Sequence, residues 1–335
     1  MQILIVNQAE VRRLLPMAEC LEVMEETLAA LARGEALLPL RQVLMLPGGQ
    51  GAFGAMPAHL SSPPALGIKV ITVFPGNHGT EYDSHQGAVL LFETERGRLL
   101  AVMDASSITA IRTAAVSGVA TRALARPEAA TLALLGTGVQ AATHLEAVAL
   151  VRPLQRVRVW SRDPAHVARF VEAARARHPF AIEAAPTARE AVSDADVVCT
   201  VTSSREPVLQ GAWLRPGTHV NAVGASLRTT RELDAAAVAA ARVFVDRRES
   251  AANEAGDLLM ARAEGAIGDD HVQAELGEVL VGRADGRRSP AEITVFKSLG
   301  LAVEDVASAH HIHARATEKG MGTWVELGGG RDATG

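Results

Sequence analysis

Only two cysteines, Cys20 and Cys199, occur in 335 residues. They form no C-x-x-C pair, so neither a disulfide framework nor a zinc site is written into the chain, and a reducing cytoplasm is the expected compartment. Aromatic residues make up 3%, which leaves no stripe of rings on which nucleobases could stack. A basic excess is missing too: 33 Lys+Arg stand against 38 Asp+Glu, a formal charge of -5, and no basic tract supplies the footprint of a nucleic-acid binder. The start, Met-Gln-Ile-Leu-Ile-Val-Asn-Gln-Ala-Glu, lacks a basic n-region and does not read as a secretory signal. Gly, Thr and Gln interrupt the longest uncharged stretch, so no membrane helix is expected. At 48% hydrophobic residues the chain has enough apolar material for two domains, each with its own core.

That uncharged stretch is also the most informative one. Residues 129–142 read Ala-Ala-Thr-Leu-Ala-Leu-Leu-Gly-Thr-Gly-Val-Gln-Ala-Ala, an apolar run broken by two glycines and resumed by helix formers. A strand, a phosphate-binding turn and a helix N-terminus are written this way. Gly136 permits the turn, Gly138 lets the backbone approach a pyrophosphate, and Ala141 is small enough for the helix to pack on the sheet. Free N–H groups and the positive dipole end of the helix then face the phosphates. Glycines also mark ordinary turns, so the string needs its context.

The context is a change of texture along the chain. Leu21, Met24, Leu28 and Leu31, spaced among Glu22, Glu25 and Glu26, predict an amphipathic helix over 21–31. Short β-like runs at 42–46, 52–56, 67–74 and 88–93, bounded by Gly, Pro, Asn and Asp, predict an antiparallel meander. Residues 106–124 read as a helix rich in small residues, capped by Ser106 or Ser107 and closed by Pro127. From Thr131 strand and helix alternate: strand 131–135, a helix to about 151, strand 156–160, helix 164–177, strands 196–202 and 217–223. Such alternation predicts a parallel, doubly wound sheet. Near the end, residues 294–310 predict a short strand running into a helix that returns to the first domain. The expected architecture is α/β: a Rossmann domain over 126–300, and a discontinuous α+β domain over 1–125 and 301–335. The Gly/Asp-rich tail after Leu327 is expected to fray.

About 20 positions past the glycine turn, an acidic residue favours NAD and an arginine favours the 2′-phosphate of NADP. Ser161 and Arg162 stand there, followed by Asp163. A hydroxyl beside a guanidinium suits a phosphate, and NADPH rather than NADH is the expected cofactor.

Three cations lie among apolar or small neighbours: Arg41 after Leu-Leu-Pro-Leu, Lys69 within Leu-Gly-Ile-Lys-Val-Ile-Thr-Val, and Arg112 within Ile-Thr-Ala-Ile-Arg-Thr-Ala-Ala-Val. Desolvating an unpartnered charge costs several kcal/mol or shifts its pKa. A bound carboxylate would satisfy these cations. So would internal salt bridges, with Glu93 or Asp104 as partner. His310, His311 and His313 suggest a metal cluster at first sight, but adjacent helical residues point to different faces and no acidic or thiol ligand lies at a zinc-like spacing, so no metal is expected. Trp160, Trp213 and Trp324 are expected to pack.

Five blocks in order, Gly67-Ile-Lys-Val-Ile-Thr-Val-Phe-Pro-Gly-Asn, the Ile-Thr-Ala-Ile-Arg-Thr-Ala-Ala-Val-Ser around Arg112, Gly136-Thr-Gly-Val-Gln-Ala, His219-Val-Asn-Ala-Val-Gly-Ala-Ser and Thr294-Val-Phe-Lys-Ser-Leu-Gly, together resemble the ornithine cyclodeaminase/mu-crystallin family over nearly the whole chain. The resemblance implies a homodimer whose first domain, completed by C-terminal residues, binds the substrate and the second subunit. It also implies that Arg41, Lys69 and Arg112, with Met56 nearby, hold a small carboxylate-bearing imine or amino acid, and that Lys69 and Arg112 are catalytic. For the cofactor it implies Gly136, Thr137, Gly138, Val139, Gln140, Ser161 and Arg162 on the dinucleotide. Ser84, Arg112, Thr113, Val201, Thr202, Val223, Ser226 and Leu299 would lie toward the nicotinamide.

Within that family, cyclodeaminases carry acidic residues where this chain has Gly54 and Ser226, so a diamino substrate would lack its counter-ion and its base. Ala225-Ser226, Ser161-Arg162 and Arg231-Glu-Leu-Asp resemble instead the mu-crystallin branch, associated with NADPH-dependent reduction of cyclic ketimines such as Δ1-pyrroline-2-carboxylate or Δ1-piperideine-2-carboxylate. Ornithine cyclodeaminase, alanine dehydrogenase and a non-catalytic NADPH-binding protein are the alternatives.

Overall fold

The computed structural model describes residues 2–77 and 79–328. Strand β1 (Gln2–Val6) leads into helices α1 (Gln8–Leu14) and α2 (Met17–Arg33). Then come β2 (Ala36–Leu37), β3 (Gln42–Met45), β4 (Ala52–Ser61), β5 (Pro64–Val73), β6 (His85–Phe92), β7 (Leu99–Asp104) and the long helix α3 (Ala105–Leu124). Alternation begins at β8 (Thr131–Leu135) and α4 (Val139–Val151), and continues through β9 (Arg156–Trp160), α5 (Pro164–Arg175), β10 (Ala181–Ala184), α6 (Ala188–Val192), β11 (Val197–Thr200) and β12 (His219–Ala222). It ends with α7 (Ala235–Ala239), β13 (Arg242–Val245), α8 (Arg248–Glu254), α9 (Gly256–Ala263), β14 (Val272–Glu275), α10 (Leu276–Leu280) and β15 (Thr294–Lys297). Helix α11 (Ala302–Lys319) and β16 (Thr323–Glu326) follow.

The chain divides into two units, Met1–Arg112 with Leu301–Gly335, and Thr113–Gly300. The first division therefore falls inside α3, not at the 125/126 boundary suggested by its terminating proline. In the first unit one sheet runs β16-β1-β7-β6-β5-β4-β2, with β3 also on β4. Strands β3 to β6 are the expected antiparallel meander, and β7, absent from the sequence reading, continues it. Strands β1 and β16, absent from the sequence reading, extend it, β1 lying parallel to β7 and antiparallel to β16. Helix α2 outruns its predicted span because Pro16 starts it and Gly34, at φ 81°, stops it in the left-handed region that glycine enters at little cost. Helix α3 is capped by Asp104, whose carboxylate accepts the Ser107 N–H at 2.8 Å. Ser106 is not the cap; its hydroxyl donates to the His85 carbonyl.

Strand β5 alternates as a half-buried strand must: Ala65, Gly67, Lys69 and Ile71 are buried while their neighbours are not. Helix α11 packs on β4, β5 and β6. A side chain at Gly67 would bring a Cβ to 2.8 Å from the Leu90 carbonyl and 3.0 Å from Val306, so this glycine sets how closely α11 approaches the sheet.

The second unit holds an all-parallel sheet in the order β10-β9-β8-β11-β12-β15-β13-β14. Alternate residues of each strand enter two cores: Leu132, Leu134, Val157, Val159, Val197 and Cys199 on one face, Ala133, Leu135, Val198, Val220 and Val243 on the other. Burial on both faces is the mark of a doubly wound sheet. Strand order reverses between β8 and β11, and in such folds ligands bind beyond the carboxyl ends of the strands at this switch point.

Both cysteines are buried as core residues; burial pushes both thiols up, Cys199 to about 12. Trp160 and Trp213 pack on a core cluster, whereas Trp324, on β16, is half exposed, against expectation. No helix among the described residues is long and apolar enough to cross a membrane. Most of the tail after Leu327 lies outside the described residues.

Candidate active site

The glycine turn follows β8 as its spelling demands. Gly136 has φ 124° and a Cβ there would meet the Val201 carbonyl at 2.8 Å, so both the backbone and the space require glycine. Gly138 is the N-cap of α4, and no side chain caps that helix. A Cβ on Gly138 would meet nothing within 4 Å, so no packing inside the chain demands a glycine here. Ala141 is fully buried. Thr137 reaches the Ser161 hydroxyl at 3.4 Å, bringing the turn to the end of β9. The exposed Val139 and partly buried Gln140 form the first turn of α4.

Past β9, Asp163 has its own backbone partner. It is the N-cap of α5, accepting the Ala165 N–H at 2.8 Å, and this bond to the backbone lowers its pKa. Arg162 is exposed, and among the described residues no carboxylate pairs with it. An uncapped helix N-terminus behind a glycine cradle suits a dinucleotide.

Val201 and Thr202 follow β11, and Val223 and Ser226 follow β12. The Leu299 N–H donates to Asp246 at 2.6 Å, as does Gly300 at 2.8 Å. Thr113, on α3, is buried.

In the first unit, strand pairing sets Lys69 of β5 opposite Met56 of β4, both buried. Lys69 Nζ lies 2.7 Å from Asp305 Oδ2 and 3.4 Å from the Thr109 hydroxyl. Arg112 of α3 gives Nε to Asp305 Oδ1 at 3.0 Å and Nη1 to Glu304 Oε2 at 2.6 Å. One carboxylate of α11 thus joins the two cations. The internal partners are not Glu93 or Asp104. Glu93 accepts the N–H groups of Glu95, Arg96 and Arg98 in its own turn, and Asp104 caps α3.

Burial is the main cause that lowers Lys69 from 10.5 to about 8; Asp305 opposes it, and the positive fields of Arg112 and Arg41 push the same way as burial. Arg41, just before β3, is partly buried. Ser84 contacts its neighbour His85 at 3.1 Å. The first unit thus brings Arg41, Met56, Lys69 and Arg112 together, with no such tie to Ser84. Sequence reading missed Glu304 and Asp305, although both are charges inside the apolar run Leu-Ala-Val-Glu-Asp-Val-Ala, the very signal that singled out the three cations.

In the histidine triple, His311 bonds Glu19 at 2.9 Å and desolvation lowers His310 and His313; no group of three or more potential metal ligands occurs among the described residues.

The profile describing the ornithine cyclodeaminase/mu-crystallin family matches residues 1–320. Ketimine reductase mu-crystallin of Mus musculus is 40% identical over 280 residues, which cover 84% of this chain and 85% of that protein. The structure of Thermococcus litoralis Δ1-pyrroline-2-carboxylate reductase, in complex with NADH and L-proline, is similar with a TM-score of 0.94 and 37% identity, covering 96% of this chain and 99% of that one. An archaeal alanine dehydrogenase dimer with bound NAD is similar with a TM-score of 0.92 and 36% identity, covering 98% and 100%.

Proposed function

The chain belongs to the ornithine cyclodeaminase/mu-crystallin family, and from that premise we propose that it reduces a cyclic ketimine carboxylate, such as Δ1-pyrroline-2-carboxylate or Δ1-piperideine-2-carboxylate, to the cyclic amino acid with NADPH. The observation that carries the reading is Lys69, a fully buried ammonium held against Arg112 and within the field of Arg41. Asp305 and Glu304 bond Lys69 and Arg112 in the structure, and the substrate carboxylate joins this cluster as a further anion, drawn by the added positive field of Arg41. Arg112 and Lys69 fix it, assisted by Arg41, and the imine carbon receives hydride. The reduced nicotinamide supplies that hydride, and the protein supplies orientation and a proton.

Lys69 suits the proton-transfer role, since an acid with a pKa near the working pH is an efficient donor. An iminium is a better electrophile than an imine, and the product amine needs the proton. Mu-crystallin of the mouse and the reductase of Thermococcus litoralis, named for ketimine and pyrroline-carboxylate reduction, support this substrate class. So do Gly54 and Ser226, which offer no acid to a second amino group. Purified protein with NADPH should consume Δ1-pyrroline-2-carboxylate far faster than pyruvate with ammonia. The reverse ranking makes it an alanine dehydrogenase, and turnover of neither makes it a binding protein.

The pH dependence follows from the direction of the Lys69 shift. Below about 8 the ammonium is present and can donate; above it the free enzyme has lost the proton. Expected, then, is a kcat/KM for imine reduction that falls as pH rises through about 8, while oxidation of the cyclic amino acid gains over the same range. Lys69→Arg, whose side chain stays charged, should lack this limb. If the variant keeps an unchanged limb, the titrating group is another one.

The archaeal alanine dehydrogenase dimer to which this chain is similar supports a homodimer. Leu37, Val43, Leu44, Met45 and Phe53 are all exposed on β2, β3 and β4, an apolar cluster of the kind that marks an interface. Light scattering should report a dimer for the wild type and a monomer for Leu44→Arg; a monomeric wild type would remove this part of the reading.

A further inference from the structure

One buried carboxylate in the second unit makes more hydrogen bonds than any catalytic role just described asks of it. Glu232, between β12 and α7, is fully buried. Its Oε1 accepts the Thr202 N–H and the Thr202 hydroxyl, both at 2.6 Å. Its Oε2 accepts the Thr200 hydroxyl at 2.8 Å and the Gly224 N–H at 2.7 Å. Thr200 ends β11, Thr202 lies two residues beyond it, and Gly224 lies two residues beyond the end of β12. A single side chain therefore ties together the loops leaving two neighbouring strands at the carboxyl edge of the sheet.

The tie is anchored from behind. Asp257 of α9 accepts the N–H of Glu232 at 2.7 Å and of Leu233 at 3.0 Å through Oδ1, while its Oδ2 lies 2.9 Å from Lys297 Nζ. Lys297, on β15, also donates to the Ala222 carbonyl at 3.1 Å. The ends of β11, β12 and β15 are thus held by one buried chain of Glu, Asp and Lys. There is no slack in it: a Cβ on Gly224 would lie 2.0 Å from the Thr202 carbonyl and 2.6 Å from Glu232 Oε1. Burial raises the Glu232 carboxyl, the Thr202 hydroxyl lowers it, Asp257 raises it and Lys297 lowers it.

We propose that Glu232 is a positioning residue for the nicotinamide half of the cofactor: by clamping the Thr202 and Gly224 loops it sets the wall on the β11–β12 side of the switch point. It touches no reacting atom. The phosphates and the adenosine ribose face a different set of residues, the Gly136–Gly138 turn and Ser161-Arg162, which Glu232 does not contact. The inference rests on the dinucleotide reading of this unit and is independent of which imine is reduced.

Glu232→Gln is the sharp test, since the side chain keeps its size. Whichever way the amide is turned, its NH2 confronts a backbone N–H, that of Thr202 or that of Gly224, and one loop must move away. Titration calorimetry on the full chain compares NADPH with 2′-phospho-ADP-ribose, which lacks the nicotinamide. Losing a charged hydrogen-bond acceptor predicts an NADPH affinity weakened by roughly tenfold or more, with 2′-phospho-ADP-ribose unchanged within about twofold and the fluorescence of bound NADPH altered. Equal weakening of both ligands, or of neither, overturns the proposal. Should the wild type bind NADH alone, NADH and ADP-ribose form the pair; a wild type that binds neither dinucleotide removes both the proposal and the reading beneath it. Thr200→Val, which deletes one donor and leaves the carboxylate, guards against a variant that fails to fold. It should show the same split more weakly, and its absence counts against the clamp.

Discussion

Arg112→Ala is expected to lower turnover of Δ1-pyrroline-2-carboxylate by about 10²- to 10³-fold while NADPH still binds. Charged hydrogen bonds contribute roughly 1.5–3 kcal/mol each, and a guanidinium that fixes a carboxylate in a reactive pose contributes to the rate as well as to binding. The same substitution has a second cost. Arg112 donates to Glu304 and Asp305, both fully buried, and taking one partner out of a buried ion pair typically costs about 3–5 kcal/mol. Loss of activity alone would therefore be ambiguous. The double variant Arg112→Ala, Glu304→Gln resolves it: removing the acid's charge should recover part of the denaturation midpoint and none of the turnover. If activity returns along with stability, Arg112 serves the fold and not the substrate.

Arg162→Ala is expected to weaken NADPH binding by about 10- to 100-fold, the range of one or two charge-assisted bonds to a phosphate, and to leave NADH binding unchanged, since NADH has no 2′-phosphate. The ratio of the two dissociation constants is the decisive measurement, because a general disturbance of the crevice would move both. The expectation has a structural basis in the division of roles at this turn: the Asp163 carboxylate is engaged as the cap of α5, while the Arg162 side chain stays exposed. Because Arg162 is exposed, added salt should narrow the preference. Equal loss of both cofactors, or a wild type that prefers NADH, would contradict the assignment.

What could be read from the sequence followed the reach of local rules. The turn at Gly136 was legible because a phosphate-binding strand, turn and helix are contiguous and each glycine has one job. The parallel sheet was legible because buried strands are written as short apolar runs between helices, as in residues 131–135 and 197–200. Strands β1, β7 and β16 were not, since their pairing is decided by partners far away in sequence. Strand β16 also carries the half-exposed Trp324, whose neighbours give no period. The cations Lys69 and Arg112 could be found as charges in apolar surroundings, but their partners could not, because nothing in the sequence near residue 69 points to residue 305. Cap assignment failed for a different reason: Asp104, Ser106 and Ser107 are all competent caps, and only the backbone direction leaving β7 chooses the aspartate.

The placement of Asp305 governs the order in which the protein can mature. It leaves the ribosome 193 residues after Arg112, once the whole second unit has been synthesised. Until then, the meander and α3 hold two cations whose neutralising acid does not yet exist, so the first unit has to wait, open and hydrated, for a helix made almost last. A nascent chain stalled before α11 would contain every residue of the dinucleotide fold and still be unable to close the half that recognises the imine.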